Sequence, residues 1–209
     1  MLIEQTTDLE IRNALHKKVL RHSHACPKTI VIDELGLAHG KNRIDVAVLN
    51  GCLHGYEIKS SKDNLNRLPK QLETYNRSLQ KLTIVAASNH IEDIMMLAPK
   101  WSGIVVVSKG PRGGMSFSTI RRSSLNPDVD ITSLAHLLWK QEVIEYLAQL
   151  GLDGQHLKGS RKVLYRTLSR HVTVSELVEW IKVQFLRRES WRVGLQPLQD
   201  DDLRQLASM

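Results

Sequence analysis

Between residues 82 and 87 the chain reads Leu-Thr-Ile-Val-Ala-Ala, a strand-length run without the polar–apolar alternation of a half-solvated strand. Such a run suits a strand buried on both faces, which is the situation of a central strand in a parallel sheet covered by helices. The preceding segment supplies the crossover. Pro69 sits well as the first residue of a helix to about residue 79, where its missing N–H costs nothing, and Leu68, Leu72 and Leu79 form its apolar face. A strand, a helix and a second strand in that order place the two strands parallel in one sheet. Upstream lie three further strand-like runs at 29–35, 43–49 and 53–60, the last two joined by Asn50-Gly51, a strong hairpin signal. Downstream come a short helix at 91–97, a strand at 103–107 and a strand at 115–120 that pairs with it across Gly113-Gly114. The fold class is therefore α/β with a mixed sheet.

Thr7 followed by Glu10 is a capping-box pattern, and Leu9, Ala14, Val19 and Leu20 extend it into an amphipathic helix over 8–21. At Asn126-Pro127-Asp128 the strand-like pattern stops and helical periodicity takes over. That divides the chain into a core, 1–127, and a helical basic module, 128–209. Helices are expected in the module at 133–150, 160–170 and 173–188, the last opened by a Thr173–Glu176 capping box.

Composition limits the setting. Two cysteines, Cys26 and Cys52, are too few for a disulfide framework, the Met1 end lacks a leader pattern, and no apolar stretch approaches the roughly 20 residues of a membrane span. A reducing cytoplasm is the expected location, with no membrane partner. A formal net charge of +7 and a pI near 9.5 draw polyanions to the surface. In the C-terminal part Lys158, Arg161, Lys162, Arg166 and Arg170 follow one another with no acidic residue between them. Arg161, Lys162 and Arg166 fall near one another on a helix whose Leu164 and Leu168 face inward, so this surface is a candidate for phosphate contact.

The chemistry concentrates around the hairpin. Asp45 stands in its first strand, and Glu57-Ile58-Lys59 in its second. Alternation along a strand puts Glu57 and Lys59 on one face and Ile58 on the other. Asp45 and Glu57 offer hard oxygen ligands for Mg²⁺ or Mn²⁺, joined by the backbone carbonyl near Ile58 and by an upstream carboxylate, Glu34 in preference to Glu10. Lys59 then stands beside a metal-bound water. This convergence places a demand on register. A two-residue Asn50-Gly51 turn would oppose Asp45 to Tyr56 and turn it away from Glu57, so a three-residue loop, a bulge or a bend near Asp45 is required.

The run Arg43-Ile44-Asp45 followed by Glu57-Ile58-Lys59 resembles the motif of the PD-(D/E)XK nuclease superfamily, with Ile44 where the proline usually stands. The order helix, three strands, helix, strand resembles that superfamily's restriction-endonuclease-like αβββαβ core. Gln71 and Tyr75, four residues apart on one helix face, are similar to the Gln-x-x-x-Tyr spacing of nucleases related to the RecBCD exonuclease domain. The resemblance covers roughly residues 8–108 and is closest to a small bacterial family with a helical C-terminal part. It implies a metal-dependent deoxyribonuclease, monomeric or homodimeric, acting on DNA with RNA left open. Asp45, Glu57 and Lys59 would be catalytic, Asp45, Glu57, Ile58 and Glu34 would hold the metal, and Gln71, Tyr75, Arg161, Lys162 and Arg166 would contact substrate. A DNA-binding protein that keeps the fold without cleavage is the alternative.

Other patterns carry less. His22, His24 and Cys26 lack a fourth ligand at zinc spacing. The loop Gly110-Pro111-Arg112-Gly113-Gly114 lacks the lysine and hydroxyl residue that close a Walker motif. Trp180 and Trp191 are expected in packing, not in base stacking.

Overall fold

The computed structural model describes residues 5–188. One six-stranded sheet in the order β1-β2-β3-β4-β5-β6 organises them: β1 (Ile30–Leu37), β2 (Asn42–Leu49), β3 (Leu53–Lys59), β4 (Lys81–Ala87), β5 (Gly103–Lys109) and β6 (Met115–Arg121). β3, β4 and β5 run parallel and the outer pairs antiparallel. The sheet is mixed, as the run at 82–87 requires. β4 is central, and Leu82, Ile84, Val85 and Ala86 have no exposed surface.

Helices cover both faces. On one, α1 (Asp8–Ala14), a π-turn (Leu15–Val19) and α2 (Arg21–Ala25) bury Ile11, Leu15 and Leu20 against Val46, Val48, Ile58, Val85 and Val107. The expected single helix over 8–21 is thus interrupted, and Leu9 and Val19, expected inside, are exposed. The π-turn inserts one extra residue. Buried positions 11, 15 and 20 are spaced by four and then five, so the wider turn keeps Leu20 on the face that Ile11 and Leu15 begin.

On the other face lie α3 (Leu68–Ser78), α5 (Ile131–Ala135), α6 (Lys140–Gln149), α7 (Arg161–Leu168) and α8 (Val174–Arg187), while α4 (Ile91–Leu97) links β4 to β5. A single apolar cluster runs from Leu35, Ile44, Leu72 and Ile84 in the sheet layers through Leu134, Leu147 and Leu164 to Phe185. At the 126–128 junction Asn126 donates to the Asn76 and Leu79 carbonyls, 2.6 and 2.8 Å away, fastening the start of the helical part to the end of α3.

The helix expected over 133–150 is two helices. Asp130 caps α5 by accepting from the Thr132 and Ser133 N–H groups, and Glu142 restarts the chain as α6 by accepting from the Trp139 N–H at 2.8 Å. Between them Leu137 and Leu138 are both buried, which a continuous helix would place 100° apart. Arg188 locks the end of α8 to α6 through Glu142, with Nε donating at 2.9 Å, and its guanidinium lies 4.3 Å from the Trp139 ring centroid. Trp180 stacks on Tyr146 at 4.6 Å, as packing requires; Trp191 lies outside the described residues.

Candidate functional site

Geometry at the hairpin meets the register demand. Leu49 pairs with Leu53, leaving a three-residue loop, Asn50-Gly51-Cys52, with Gly51 at φ +70° where a side chain is strained. Pairing continues to Val46 opposite Tyr56, and the same register brings Asp45 opposite Glu57. A second irregularity falls at the same level. Glu34 of β1, facing Asp45, has φ +54°. Ile32 lies in the α3-side core, and so does Leu35, three residues on where regular alternation would put it on the opposite face.

Asp45 and Glu57 meet different environments. Glu57 is 1% exposed, at the α3 side of β3. Its Oε1 accepts from Lys59 Nζ at 2.7 Å and from Gln71 Nε2 at 2.9 Å, and its Oε2 lies 2.6 Å from the Tyr75 hydroxyl. That hydroxyl is also 2.7 Å from the Arg43 carbonyl, and its single hydrogen serves one acceptor at a time. Burial, then the Glu57 charge, pushes the Tyr75 phenol up, so it remains a donor. Lys59 Nζ reaches Gln71 Oε1 at 3.3 Å as well. The i,i+4 pair Gln71 and Tyr75 therefore does converge on the strand motif.

Asp45 reaches sideways. Its Oδ2 accepts from the Ile58 N–H at 2.5 Å, taking the place of a β2 backbone partner where the ladder ends. Burial first, and then the Glu57 charge, raises its carboxyl well above the usual carboxylate range, with the Ile58 N–H opposing. Two acids in a partly buried site resist being charged together.

Two residues absent from the sequence expectations complete the cluster. Arg12 of α1 lies 3.1 Å from Asp8 and 3.6 Å from Asp45 and is also paired with Glu34. α1 is held over the end of β3 by reciprocal bonds between Thr6 and Ser61, of 2.8 and 3.0 Å. The signal was available: Asp8 and Arg12 are an i,i+4 pair that starts inside the Thr7–Glu10 capping box. It was hidden because a pair at that spacing ordinarily stabilises only its own helix.

Other expected residues stand elsewhere. Glu34 is turned to Arg12. Glu10 caps α1 and pairs with Lys109 at 2.8 Å, which together with the Thr7 bonds holds its carboxyl down at about 2. Among the described residues no group of three or more His, Cys, Asp or Glu side chains is placed to hold a metal ion, so the expected set of Asp45, Glu57 and Glu34 does not assemble as one. His24 lies 2.9 Å from His16, not in a zinc site. Arg161, Lys162 and Arg166 lie on α7, the last two exposed, and no hydrogen bond or ion pair among the described residues joins them to the acid cluster. No described helix is long and apolar enough to cross a membrane.

Fold and cluster define a mixed α/β protein with one six-stranded sheet, helices on both faces and a buried acid–lysine network at the β2–β3 junction. The chain belongs to the bacteriophage P4 protein cII family, whose model matches residues 2–196. It is 27% identical over 152 residues to "Protein cII" of Enterobacteria phage P4, a match covering 73% of this chain and 55% of that protein. The matched chain thus spans about half the length of that relative. No solved structure matches.

Family membership corrects the resemblance to the PD-(D/E)XK nucleases. With it go the nuclease and hydrolase assignments, the Mg-dependent deoxyribonuclease activity and the alternative of a non-cleaving relative of those enzymes. The physical reason is that the motif specifies a geometry, two acids and a lysine at a strand junction, and this geometry formed. A geometry hosts many functions, and the motif carries no information that selects hydrolysis.

Proposed function

We propose that the Asp45–Glu57 pair binds one Mg²⁺ or Mn²⁺ and that the chain meets DNA phosphates through this ion and through Arg161, Lys162 and Arg166. The observation that supports it most is the cluster's charge. Among the described residues four carboxyl groups, Asp8, Glu34, Asp45 and Glu57, are paired with two cations, Arg12 and Lys59, and burial and the Glu57 charge hold Asp45 toward its neutral form. A divalent ion relieves this imbalance. Mg²⁺ keeps several waters and is commonly held by one or two carboxylates together with phosphate oxygens, so a two-carboxylate site suits an ion shared with a nucleic acid. Lys59, Gln71 and Tyr75 orient Glu57, as second partners of a metal ligand do. The basic face of α7 supplies phosphate contacts that need no ion.

The test is fluorescence anisotropy of labelled DNA with Mg²⁺, with Mn²⁺ and with chelator, for wild type and Asp45→Asn. Expected is tighter binding with either ion, a dependence lost in Asp45→Asn while the ion-independent part survives. The same affinity in every condition would sink the cation reading. One observation favours a second reading, a purely structural network: both Glu57 oxygens already have protein donors. Indifference to metal would select it.

A further inference from the structure

The groove between α6 and α8 uses no residue of the acid cluster or of the basic face of α7. It holds about 460 Å³ and is lined by Tyr146 of α6 and by Ser175, Glu176, Glu179, Trp180 and Val183 of α8. Its floor is apolar. Trp180 lies flat against Tyr146, the two rings 8° from parallel, and spends its one polar atom inward, Nε1 donating to the Glu142 carbonyl at 3.1 Å. Val183, one turn further along α8, is 39% exposed. Apolar side chains at helix spacing on an open helix face are what a second helix covers.

Charge along α8 selects that helix. Its outer strip begins with Glu176 and Glu179, passes the groove residues Trp180 and Val183, and ends with Arg187, whose guanidinium stands 5.9 Å from the Trp180 ring centroid and 3.9 Å from Glu145. Positions 176, 180, 183 and 187 follow the four–three–four spacing of a coiled-coil seam. In a parallel pair each residue would meet its own copy, Glu176 against Glu176 and Arg187 against Arg187, and both contacts repel. Turned end for end, a twofold axis at the middle of the strip sets Trp180 against the partner's Val183 and Glu176 against the partner's Arg187, each twice. The strip is thus complementary to itself in one orientation only. Nucleic acid does not suit it, since Glu145, Glu176 and Glu179 repel phosphates.

We propose that this groove is a dimer interface, in which α8 pairs antiparallel with α8 of a second copy of the chain. Trp180 and Val183 supply its apolar centre, and the two Glu176–Arg187 pairs at its ends fix direction and register. α8 has 14 residues and is about 21 Å long, enough for all four seam positions. The dimer goes beyond the cation and DNA readings and depends on neither.

The test is sedimentation equilibrium of the full chain over a protein concentration series, for wild type, Val183→Glu, Glu176→Arg, Arg187→Glu and the double variant Glu176→Arg/Arg187→Glu, with folding checked by circular dichroism. Wild type should pass from the mass of one chain to that of two. Val183→Glu sets a carboxylate in the apolar centre and should weaken the dimer about a hundredfold or more, the cost of burying an unpaired charge. Each charge reversal alone brings like charges together and should weaken it too, whereas the double variant restores opposite charges and should associate more tightly than either single variant. Glu176 also caps Thr173, but that cap is lost equally in Glu176→Arg and in the double variant, so the comparison between them isolates the pairing. A chain that stays monomeric at every concentration gives the groove to some other occupant and overturns the proposal. A dimer that a folded Val183→Glu leaves intact, or a double variant no tighter than its singles, also overturns it. If Val183→Glu does not fold, the charge reversals decide alone.

Discussion

At the scale of single residues, Asp45 and Tyr75 make the most definite demands. Burial and the Glu57 charge raise the Asp45 carboxyl in the folded chain above its unfolded value. A raised acid stabilises the fold fully below the unfolded pKa, and that stability is lost as pH climbs through the folded one. Without divalent ions, wild type should therefore lose thermal stability as pH rises above the ordinary carboxylate range, and Asp45→Asn should flatten that part of the Tm–pH curve. Tyr75→Phe removes a buried donor to Glu57, and urea denaturation should show a loss of about 1–3 kcal/mol. His136 carries the opposite sign. Burial, then the His39 ring 4.0 Å away, pulls its pKa from 6.5 down to about 4. Its contribution is present above 6.5 and lost as pH falls toward 4, so His136→Gln should reduce the acid-side decline in Tm within that window.

Among the elements, the strands were the most legible. The unalternating run at 82–87 marked β4, and Asn50-Gly51 marked the hairpin, because period and turn chemistry are local properties. Gln71 and Tyr75 came from the resemblance to a Gln-x-x-x-Tyr spacing, and helix geometry, which is local too, puts them on one face. Where the sequence misled, the decisive contact was distant or atypical. α1 breaks at a π-turn that only the spacing of Ile11, Leu15 and Leu20 against the sheet requires. The α5–α6 break ends at Trp139, which is no ordinary cap residue and is recognisable only through Glu142. Arg12 escaped because its partners Glu34 and Asp45 lie on two different strands. The strand packing makes its own prediction at Gly103, the first residue of β5. A Cβ there would meet the Ser123 backbone nitrogen at 2.9 Å and Thr83 Oγ1 at 3.0 Å. Backbone cannot rotate aside, so Gly103→Ala should destabilise by about 1–3 kcal/mol in denaturant unfolding.

For the molecule as a whole, one apolar core joins the sheet to the C-terminal helices, so the basic face of α7 and the acid cluster are parts of a single packed body. Charge distribution then separates two contributions to DNA affinity. Replacing Arg161, Lys162 and Arg166 together by alanine should weaken binding for all sequences alike and flatten the plot of log affinity against log salt by up to roughly 2.7, three phosphate contacts at about 0.9 each. That loss should be equal with and without divalent ions. The cation site is the central claim, and thermal unfolding of wild type and Asp45→Asn across a Mn²⁺ series tests it most directly. An ion that binds only the folded chain stabilises it by about 2.7 kcal/mol at a hundred times its Kd. The account predicts a Tm that rises with Mn²⁺ in wild type and stays level in Asp45→Asn; a Tm that ignores Mn²⁺ in both, or rises equally in both, would contradict it.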